Sequence, residues 1–310
     1  MKKLYPIYFH PVYKNAVWGG QKISTFFNRN TKEKKIAESW EISDRKEGMS
    51  KVANGFYKGA DLCDLMNLLK NDLTGDHFFK EFPLLIKLID AHDKLSIQVH
   101  PDQKSAKKLK GKPKEEMWYI LHAEENASVL VGFKKKMSSY EFKEALKNQI
   151  IDTLIHKIYV QKNDAIYVPS RTIHAILKGT LLLEVQQNSN TTYRIHDWGR
   201  NRPLHTQEAL ESLNFEKAKI ESDILKKNQQ STSFKAPSFK VEKIQAKKWE
   251  SFAFHKSFQI FFVLQGEGMI FGDGMGEPIF SGRTFLCPAA LKHVELVSNQ
   301  KEFSFLRITL

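Results

Sequence analysis

Hydrophobic residues alternate with polar ones, or run together briefly, in many short segments of the chain. The segments are bounded by Gly, Pro and Asn, a pattern typical of β-strands. The predicted strands lie in KVANGFYKG, PLLIKLID, LSIQVHPD, ASVLVGF, DAIYVPS and TLLLEVQQ, and later in SFQIFFVLQGEGMIF and EPIFSGRTFLCPAALKHVEL. Many short strands with few helices predict a mostly-β protein of the jelly-roll or barrel type.

A few segments have helical spacing instead. In SSYEFKEALKN, Ser138 or Ser139 can serve as the N-cap, and Phe142, Ala145 and Leu146 recur at helical intervals. Short helices are predicted at residues 61–72, 138–148 and 205–215.

A change of composition divides the chain. Residues 217–238 are polar and rich in Ser, Lys and Gln, which predicts a linker. A chain of 310 residues is long enough for two domains. We therefore expect an N-terminal domain with helical additions over residues 1–235 and a second β-domain over residues 236–310.

The bulk chemistry favours a cytoplasmic protein, and a basic charge is compatible with nucleic acid, an anionic membrane surface or an anionic small substrate as partner. The formal net charge is +13, but the Lys residues are scattered and no nucleic-acid-binding motif is present. No apolar run approaches the ~18 residues of a membrane span, and the N-terminus lacks a signal-peptide core. Cys63 and Cys287 are the only cysteines, which argues against a disulfide scaffold. Nucleic-acid and membrane partners are not expected, and the oligomeric state is left open.

The segment LSIQVHPD carries unusual polarity for a strand. Ser96, Gln98 and His100 are two residues apart, so on a strand their side chains share one face. If the strand lines a barrel, this face points inward. An amide and an imidazole are then candidates for a common site.

A degenerate internal repeat singles out the same residues. Pro169 and His174 are five residues apart in VPSRTIH, as are Pro288 and His293 in CPAALKH. Such recurrence is what a duplicated β-domain would leave. The first copy carries Gln98, His100, Glu116 and His174 in the repeated elements, and the second carries Phe252, Phe254, Gln259 and His293. The pattern predicts a polar site in the first domain that apolar side chains fill in the second.

Two imidazoles and one carboxylate from separate strands form a common metal-binding set. They suit Zn²⁺ with an open position for water or substrate. They also suit the Fe(II) of non-haem oxygenases, although a fourth ligand from Gln98 would crowd the positions that O₂ needs.

Several longer stretches resemble the type I mannose-6-phosphate isomerases (phosphomannose isomerases) in their short bacterial form. QVHPD and the Gln-Asn-Ser…Thr-Tyr-Arg run are the most specific. The matching stretches run through the first two-thirds of the chain: AVWGG, ESWEIS, PLLIKLIDAHDKLSIQVHPD, KPKEEMWYIL, VPSRTIHAILKGTLLLEVQQNSNTTYRIHDWGR and RPLH.

The resemblance implies two cupin-type jelly-roll β-barrel domains, the first catalytic and the second degenerate. It also implies a single zinc ion, and the family's motif places the carboxylate ligand directly before Met-Trp-Tyr. The implied zinc ligands are Gln98, His100, Glu116 and His174. The implied catalytic residues are Arg194, Lys87, Lys114 and Glu184, and Ser96, Lys114 and Arg194 are expected to contact substrate.

The reaction that the resemblance implies is interconversion of mannose 6-phosphate and fructose 6-phosphate through a cis-enediol. This chemistry needs a base beside a carbonyl and positive charge near the developing enediolate oxygen. Two other functions stay open at this point: a non-catalytic cupin that binds a sugar phosphate, and an Fe(II)-dependent cupin oxygenase.

Overall fold

The computed structural model describes residues 4–220, 225–226, 233–246, 248–254 and 256–310. The chain divides into two compact units that are discontinuous in sequence. One unit, here the mid-chain unit, comprises residues 13–39 and 87–228, and the other, the terminal unit, comprises residues 1–12, 40–86 and 229–310. The predicted domains, residues 1–235 and 236–310, stay a prediction.

Strands dominate the secondary structure, which confirms the mostly-β prediction. Most of the strands pair in antiparallel ladders, and they form separate sheets. The strands are β1 (Phe9–His10), β2 (Val12–Lys14), β3 (Glu38–Ile42), β4 (Lys51–Val52), β5 (Leu84–Ala91), β6 (Ile97–Val99), β7 (Glu116–Ala123), β8 (Ser128–Phe133), β9 (Ile155–Tyr159), β10 (Ala165–Val168), β11 (His174–Ile176), β12 (Thr180–Gln187), β13 (Tyr193–His196), β14 (Leu225–Lys226), β15 (Ser233–Lys235), β16 (Lys240–Ala246), β17 (Trp249–Ala253), β18 (Gln259–Gln265), β19 (Glu267–Gly272), β20 (Met275–Phe280), β21 (Thr284–Cys287), β22 (His293–Val297) and β23 (Phe303–Thr309).

The helices are short. They are α1 (Lys22–Phe26), α2 (Leu62–Leu69), α3 (Asn71–Thr74), α4 (Gln103–Lys108), α5 (Ser139–Lys147) and α6 (Thr206–Ser212), with 3₁₀ turns at Lys46–Gly48 and Ile151–Leu154. Each of the three predicted helical segments contains a helix. Ser138 caps α5, because its hydroxyl accepts a hydrogen bond from the Glu141 N–H while the Glu141 carboxylate accepts from the Ser138 N–H. The segment 61–72 is divided at Lys70, whose φ of 51° is outside the helical range.

Two sheets supply most of the strands of the mid-chain unit, and β2, β3 and β5 each also include residues assigned to the terminal unit. The seven-stranded sheet has the order β14-β10-β7-β12-β5-β3-β2, and the five-stranded sheet has the order β13-β6-β11-β8-β9. An apolar cluster that includes Trp118, Ile120, Val131 and Leu182 packs in this unit. The predicted strand TLLLEVQQ is β12 over its full length, whereas KVANGFYKG forms strand only at Lys51–Val52.

The terminal unit has its own sheets, β15-β16-β23-β18-β21 and β17-β22-β19-β20. Phenylalanines fill its apolar cluster, among them Phe252, Phe254, Phe261 and Phe305. The predicted linker at 217–238 lies partly outside the described residues, and its described part includes β14 and β15. Among the described residues, no helix is long and apolar enough to cross a membrane.

Candidate active site

Three neighbouring strands align the predicted site residues of the five-stranded sheet. His174, the first residue of β11, lies opposite Gln98 on β6, and Gln98 lies opposite Arg194 on β13. Directly opposed residues of antiparallel strands project to the same face. The register therefore brings an imidazole, an amide and a guanidinium to one side of this sheet, and His100 follows directly after β6.

Glu116 reaches this group from the other sheet of the mid-chain unit, where it is the first residue of β7. Its Oε2 lies 3.3 Å from His100 Nε2, and its Oε1 lies 3.4 Å from His174 Nε2. All three side chains are buried, and one ligand atom from each lies within 4.8 Å of the others. A buried cluster of two imidazoles and one carboxylate is a set of residues that can hold a metal ion.

Backbone carbonyls set the orientation of both imidazoles. His100 Nδ1 is 2.9 Å from the Thr191 carbonyl oxygen, and His174 Nδ1 is 2.8 Å from that of Thr172. Because a carbonyl oxygen can only accept, each Nδ1 carries the hydrogen and each Nε2 keeps its lone pair. Metal-binding histidines are commonly held in this way.

The electrostatic environment keeps the imidazoles neutral and Glu116 ionised. Burial and the nearby Lys114 lower the pKa of His100 to about 3, and burial also lowers the pKa of His174. Burial alone would raise the pKa of Glu116, but Lys114 and the imidazoles outweigh it and hold that pKa well below its usual range. These are the protonation states that a divalent metal ion requires of its ligands.

Buried polar atoms support this fit. His100 Nε2 and Glu116 Oε1 make no hydrogen bond to the part of the chain that the structure describes, and Glu116 Oε2 has only its ion pair with Lys114. Buried polar atoms without such partners are costly, so they call for an explanation. A divalent cation among these atoms would satisfy them, and the donor set suits one.

Gln98 and Ser96 border the cluster. Gln98 Nε2 lies 3.2 Å from His174 Nε2, and the Ser96 hydroxyl is 3.5 Å from Gln98 Oε1. The amide therefore presents its nitrogen to the cluster, and a half-turn about its last bond would present the oxygen instead. Ser96 is buried on the same face of the segment as Gln98, as the sequence predicted.

Of the adjacent acidic pair, Glu116 belongs to the cluster. The Glu115 carboxylate accepts a hydrogen bond from the Tyr167 hydroxyl instead. Lys114 Nζ lies 2.8 Å from Glu116 Oε2, and this side chain is buried. Lys114, which precedes β7, thus lies beside the predicted carboxylate ligand.

Lys87 and Glu184 form a second buried pair. Lys87 Nζ lies 2.8 Å from Glu184 Oε2 and 3.7 Å from Glu38 Oε2. Burial opposes the charge of Lys87, but Glu184 and Glu38 outweigh it and raise the Lys87 pKa above its ordinary value. Burial and the charge of Glu116 raise the pKa of Glu184. The Trp118 indole N–H donates to Glu184 Oε1 over 3.1 Å.

Arg194 is half-buried and is held by a different set of contacts. Its Nη1 donates to the Pro203 carbonyl oxygen over 2.7 Å. It shares a face with Gln98 through the β6–β13 register, whereas Lys87 and Glu184 lie on strands of the other sheet.

Sequence reasoning missed several partners of the site. Trp118 and Glu38 contact the Lys87–Glu184 pair, and the carbonyls of Thr172 and Thr191 orient the imidazoles. Trp118 has a detectable signal, since it is two residues after Glu116 and shares its strand face. The carbonyls have none, because any residue type could supply them.

Known proteins match this chain along most of its length. Residues 7–114 match the family model of the phosphomannose isomerase type I catalytic domain. The mannose-6-phosphate isomerase ManA of Bacillus subtilis is 31% identical over 306 residues, which cover 94% of this chain and 95% of that protein. A mannose-6-phosphate isomerase of Streptococcus mutans is 37% identical over 219 residues, 68% of this chain and 69% of that protein.

A solved structure agrees with these matches. The crystal structure of the mannose 6-phosphate isomerase from Bacillus subtilis superimposes with a TM-score of 0.88 at 29% identity. The superposition covers 98% of this chain and 99% of that one. Together with the relatives that are more than 30% identical over more than two-thirds of the chain, it leads to one conclusion: this chain belongs to the type I mannose-6-phosphate isomerases.

Proposed function

We propose that this protein is a metal-dependent aldose–ketose isomerase that interconverts mannose 6-phosphate and fructose 6-phosphate by proton transfer through a cis-enediol. The observation that carries the proposal is the buried cluster of His100, Glu116 and His174 with Lys114 beside it. Family membership supports the substrate, because the relatives bear the name of this activity.

The metal in this proposal is one Zn²⁺ ion per chain. His100, Glu116 and His174 would hold it, and Gln98 would add a carboxamide oxygen after rotation of its amide. Neutral imidazoles and an ionised carboxylate are hard-to-borderline donors that suit Zn²⁺. When bound, the ion supplies Lewis acidity at a sugar oxygen.

Proton transfer between C1 and C2 needs a group that can both take and return a proton. Glu184 and Lys114 have suitable chemistry and lie in this region of the mid-chain unit. The pKa of Glu184 is raised by burial and by Glu116, which brings a carboxylate nearer to the range in which general bases work. Lys87 and Trp118 hold Glu184 in place, so they would fix the direction in which it presents its oxygen.

Cationic groups complete the site. Lys114 places positive charge where negative charge develops on the enediol oxygens. Arg194 can bind two substrate oxygens at once through its planar guanidinium. Ser96 would contact the sugar from the same face as Gln98. The net charge of +13 favours encounter with a dianionic sugar phosphate.

The proposed compartment is the cytoplasm, because Cys63 and Cys287 are both free thiols. No role in binding nucleic acid or membranes is proposed.

A coupled assay for fructose 6-phosphate formed from mannose 6-phosphate tests the function. The protein would be assayed as purified, after chelation and after Zn²⁺ is restored, with His100→Ala alongside. Activity that is lost on chelation, returns with Zn²⁺ and is absent from His100→Ala would support the proposal. A folded, zinc-loaded protein without turnover would overturn it.

A further inference from the structure

The segment Arg202–His205, which reads RPLH, returns to the end of β13. Its contacts converge on Arg194. The His205 backbone N–H donates to the Arg194 carbonyl oxygen over 2.8 Å. In the reverse direction, the Arg194 backbone N–H donates to His205 Nδ1 over 3.0 Å.

These contacts take the place of a missing strand. β13 is the last strand of its sheet among the described residues, and β6 pairs with only one of its edges. A backbone N–H on the other edge needs an acceptor or contact with water. The imidazole of His205 supplies that acceptor at Arg194, in the position where a neighbouring strand would offer a carbonyl. Because a backbone N–H can only donate, Nδ1 must carry the lone pair and Nε2 the hydrogen.

The guanidinium is held by the same segment. Arg194 Nη1 donates to the Pro203 carbonyl oxygen over 2.7 Å. One segment thus holds Arg194 at its backbone N–H, its backbone carbonyl and the end of its side chain.

The preceding turn is itself well fixed. The Arg202 guanidinium binds the buried carboxylate of Asp197 with two hydrogen bonds, of 2.8 and 2.6 Å. Arg200 Nη2 donates to the Lys94 carbonyl oxygen over 2.6 Å. Bidentate charged pairs are among the strongest side-chain hydrogen bonds. The carbonyl of Pro203 is therefore presented by a turn with little freedom to move.

We infer that His205 and the Pro203 carbonyl are positioning groups that aim Arg194 into the site, an inference that rests on the proposed function of Arg194. The described contacts of the His205 ring are with the Arg194 N–H and the Tyr193 ring rather than with the metal-binding cluster. It acts through the backbone of Arg194, and that residue's cross-strand partner is Gln98.

Three variants of His205 separate positioning from simple packing. His205→Ala removes the acceptor, whereas His205→Asn keeps an oxygen close to the position of Nδ1. His205→Gln places its oxygen farther out, near the position of Nε2. His77→Ala, at an exposed histidine of the terminal unit, is the matched control. The measurements are kcat, KM, zinc content, thermal unfolding and hydrogen exchange of the Arg194 amide.

We expect His205→Ala to lower kcat by about 10- to 100-fold, since small misplacements of a catalytic group have effects of this size. Zinc content should stay at the wild-type level. Exchange of the Arg194 amide should accelerate in the same variant. His205→Asn should restore most of kcat and of the amide protection, and His205→Gln should restore neither. If His205→Ala does not fold, the comparison of kcat and amide protection between His205→Asn and His205→Gln tests the inference.

Several results would overturn the inference. One is an unchanged kcat in His205→Ala, even with a lower melting temperature. Another is equal kcat and equal amide protection in the Asn and Gln variants. Turnover by the wild type is measured first, so that a failure of the proposed function is recognised separately. Amide exchange then decides the inference, because it does not depend on turnover.

Discussion

The mid-chain and terminal units are both built mainly from β-sheets, but their interiors differ. Glu116 and Gln259 are equivalent: each begins a strand, and each pairs with the residue before a proline, Val168 and Cys287 respectively. Both side chains are buried. In the strand pairs β7–β10 and β18–β21, the internal repeat predicted from sequence therefore holds residue for residue.

In the strand pairs that contain His174 and His293, the register of the second copy is displaced by one residue. His174 lies opposite Gln98, whereas His293 lies opposite Ala253, the residue after Phe252. A shift of one residue turns a side chain to the other face of its sheet. His174 is therefore buried and His293 exposed. The Pro–His spacing survives in the second copy, but the histidine no longer faces inward.

The inward positions of the terminal unit are filled by aromatic rings. Phe252 contacts Phe261 and Phe305 at centroid distances of 5.5 and 5.6 Å. Such packing stabilises a domain through apolar burial. The mid-chain unit places charged groups in the same kind of interior, where burial is costly without pairing. Buried charged groups thus gather in the mid-chain unit, whereas the terminal unit has a conventional apolar core.

His174 and His293, the two histidines of the repeated Pro–His spacing, give the largest expected difference in activity. We predict that His174→Ala lowers kcat/KM by on the order of 10³-fold, since metal-ion catalysis supplies several kcal/mol. His293→Ala should leave activity unchanged, because that side chain is exposed. Steady-state kinetics and metal analysis of both purified variants make the test. Equal losses of activity in the two variants would contradict the assignment.

The reverse experiment perturbs the apolar interior. Phe261 is fully buried and contacts the rings of Phe252 and Phe305. Phe261→Ala should lower the free energy of unfolding by about 3–5 kcal/mol, because it removes apolar contacts and leaves a cavity. Urea unfolding measures this, and kcat per folded molecule should remain at the wild-type value. A large fall in kcat without destabilisation would show that the terminal unit contributes to chemistry.

Sequence patterns were sufficient where the signal is local. The run TLLLEVQQ predicts β12 to the residue, and SSYEFKEALKN predicts α5 with Ser138 or Ser139 as its cap, of which Ser138 is the one observed. Helix α4 was missed, because its sequence QKSAKK lacks an apolar stripe. Its signal is instead the N-cap: the Asp102 side chain accepts a hydrogen bond from the Ser105 N–H.

The site was predictable in its residue types more than in its contacts. Alternation places Gln98 and His100 on one face, but the resemblance was needed to choose Glu116 over Glu115. The exposed position of His293 depends on strand register, which the five-residue Pro–His spacing does not encode. The buried Lys87–Glu184 pair joins residues far apart in sequence, and no local pattern reports such a pairing.

Metal removal should lower the thermal stability of the protein. A ligand that binds only the folded state, present at 100 times its Kd, stabilises that state by about 2.7 kcal/mol. We therefore expect a chelator to lower the melting temperature of the zinc-loaded protein and zinc to restore it. Calorimetry measures the shift.

His174→Ala is the control for this experiment, because it should show little response to chelator. His293→Ala should respond as the wild type does. A chelator-induced shift of the same size in His174→Ala would place the metal away from the proposed cluster.

The smallest effect concerns the polar residue that the terminal unit retains. Gln259 Nε2 donates to the Ala253 carbonyl oxygen over 3.0 Å, and its Oε1 accepts from Arg307 Nε over 2.7 Å. Gln259→Leu should lower the free energy of unfolding by about 1–3 kcal/mol, because it leaves these half-buried partners unsatisfied. Activity should not change.

The double variant Gln259→Leu/Arg307→Leu should be less destabilised than the sum of the single variants, since it removes donor and acceptor together. Additive losses in urea unfolding would mean that Gln259 acts by packing alone. A coupled loss would mean that this position, equivalent to the proposed metal ligand Glu116, serves structure in the terminal unit by binding an arginine.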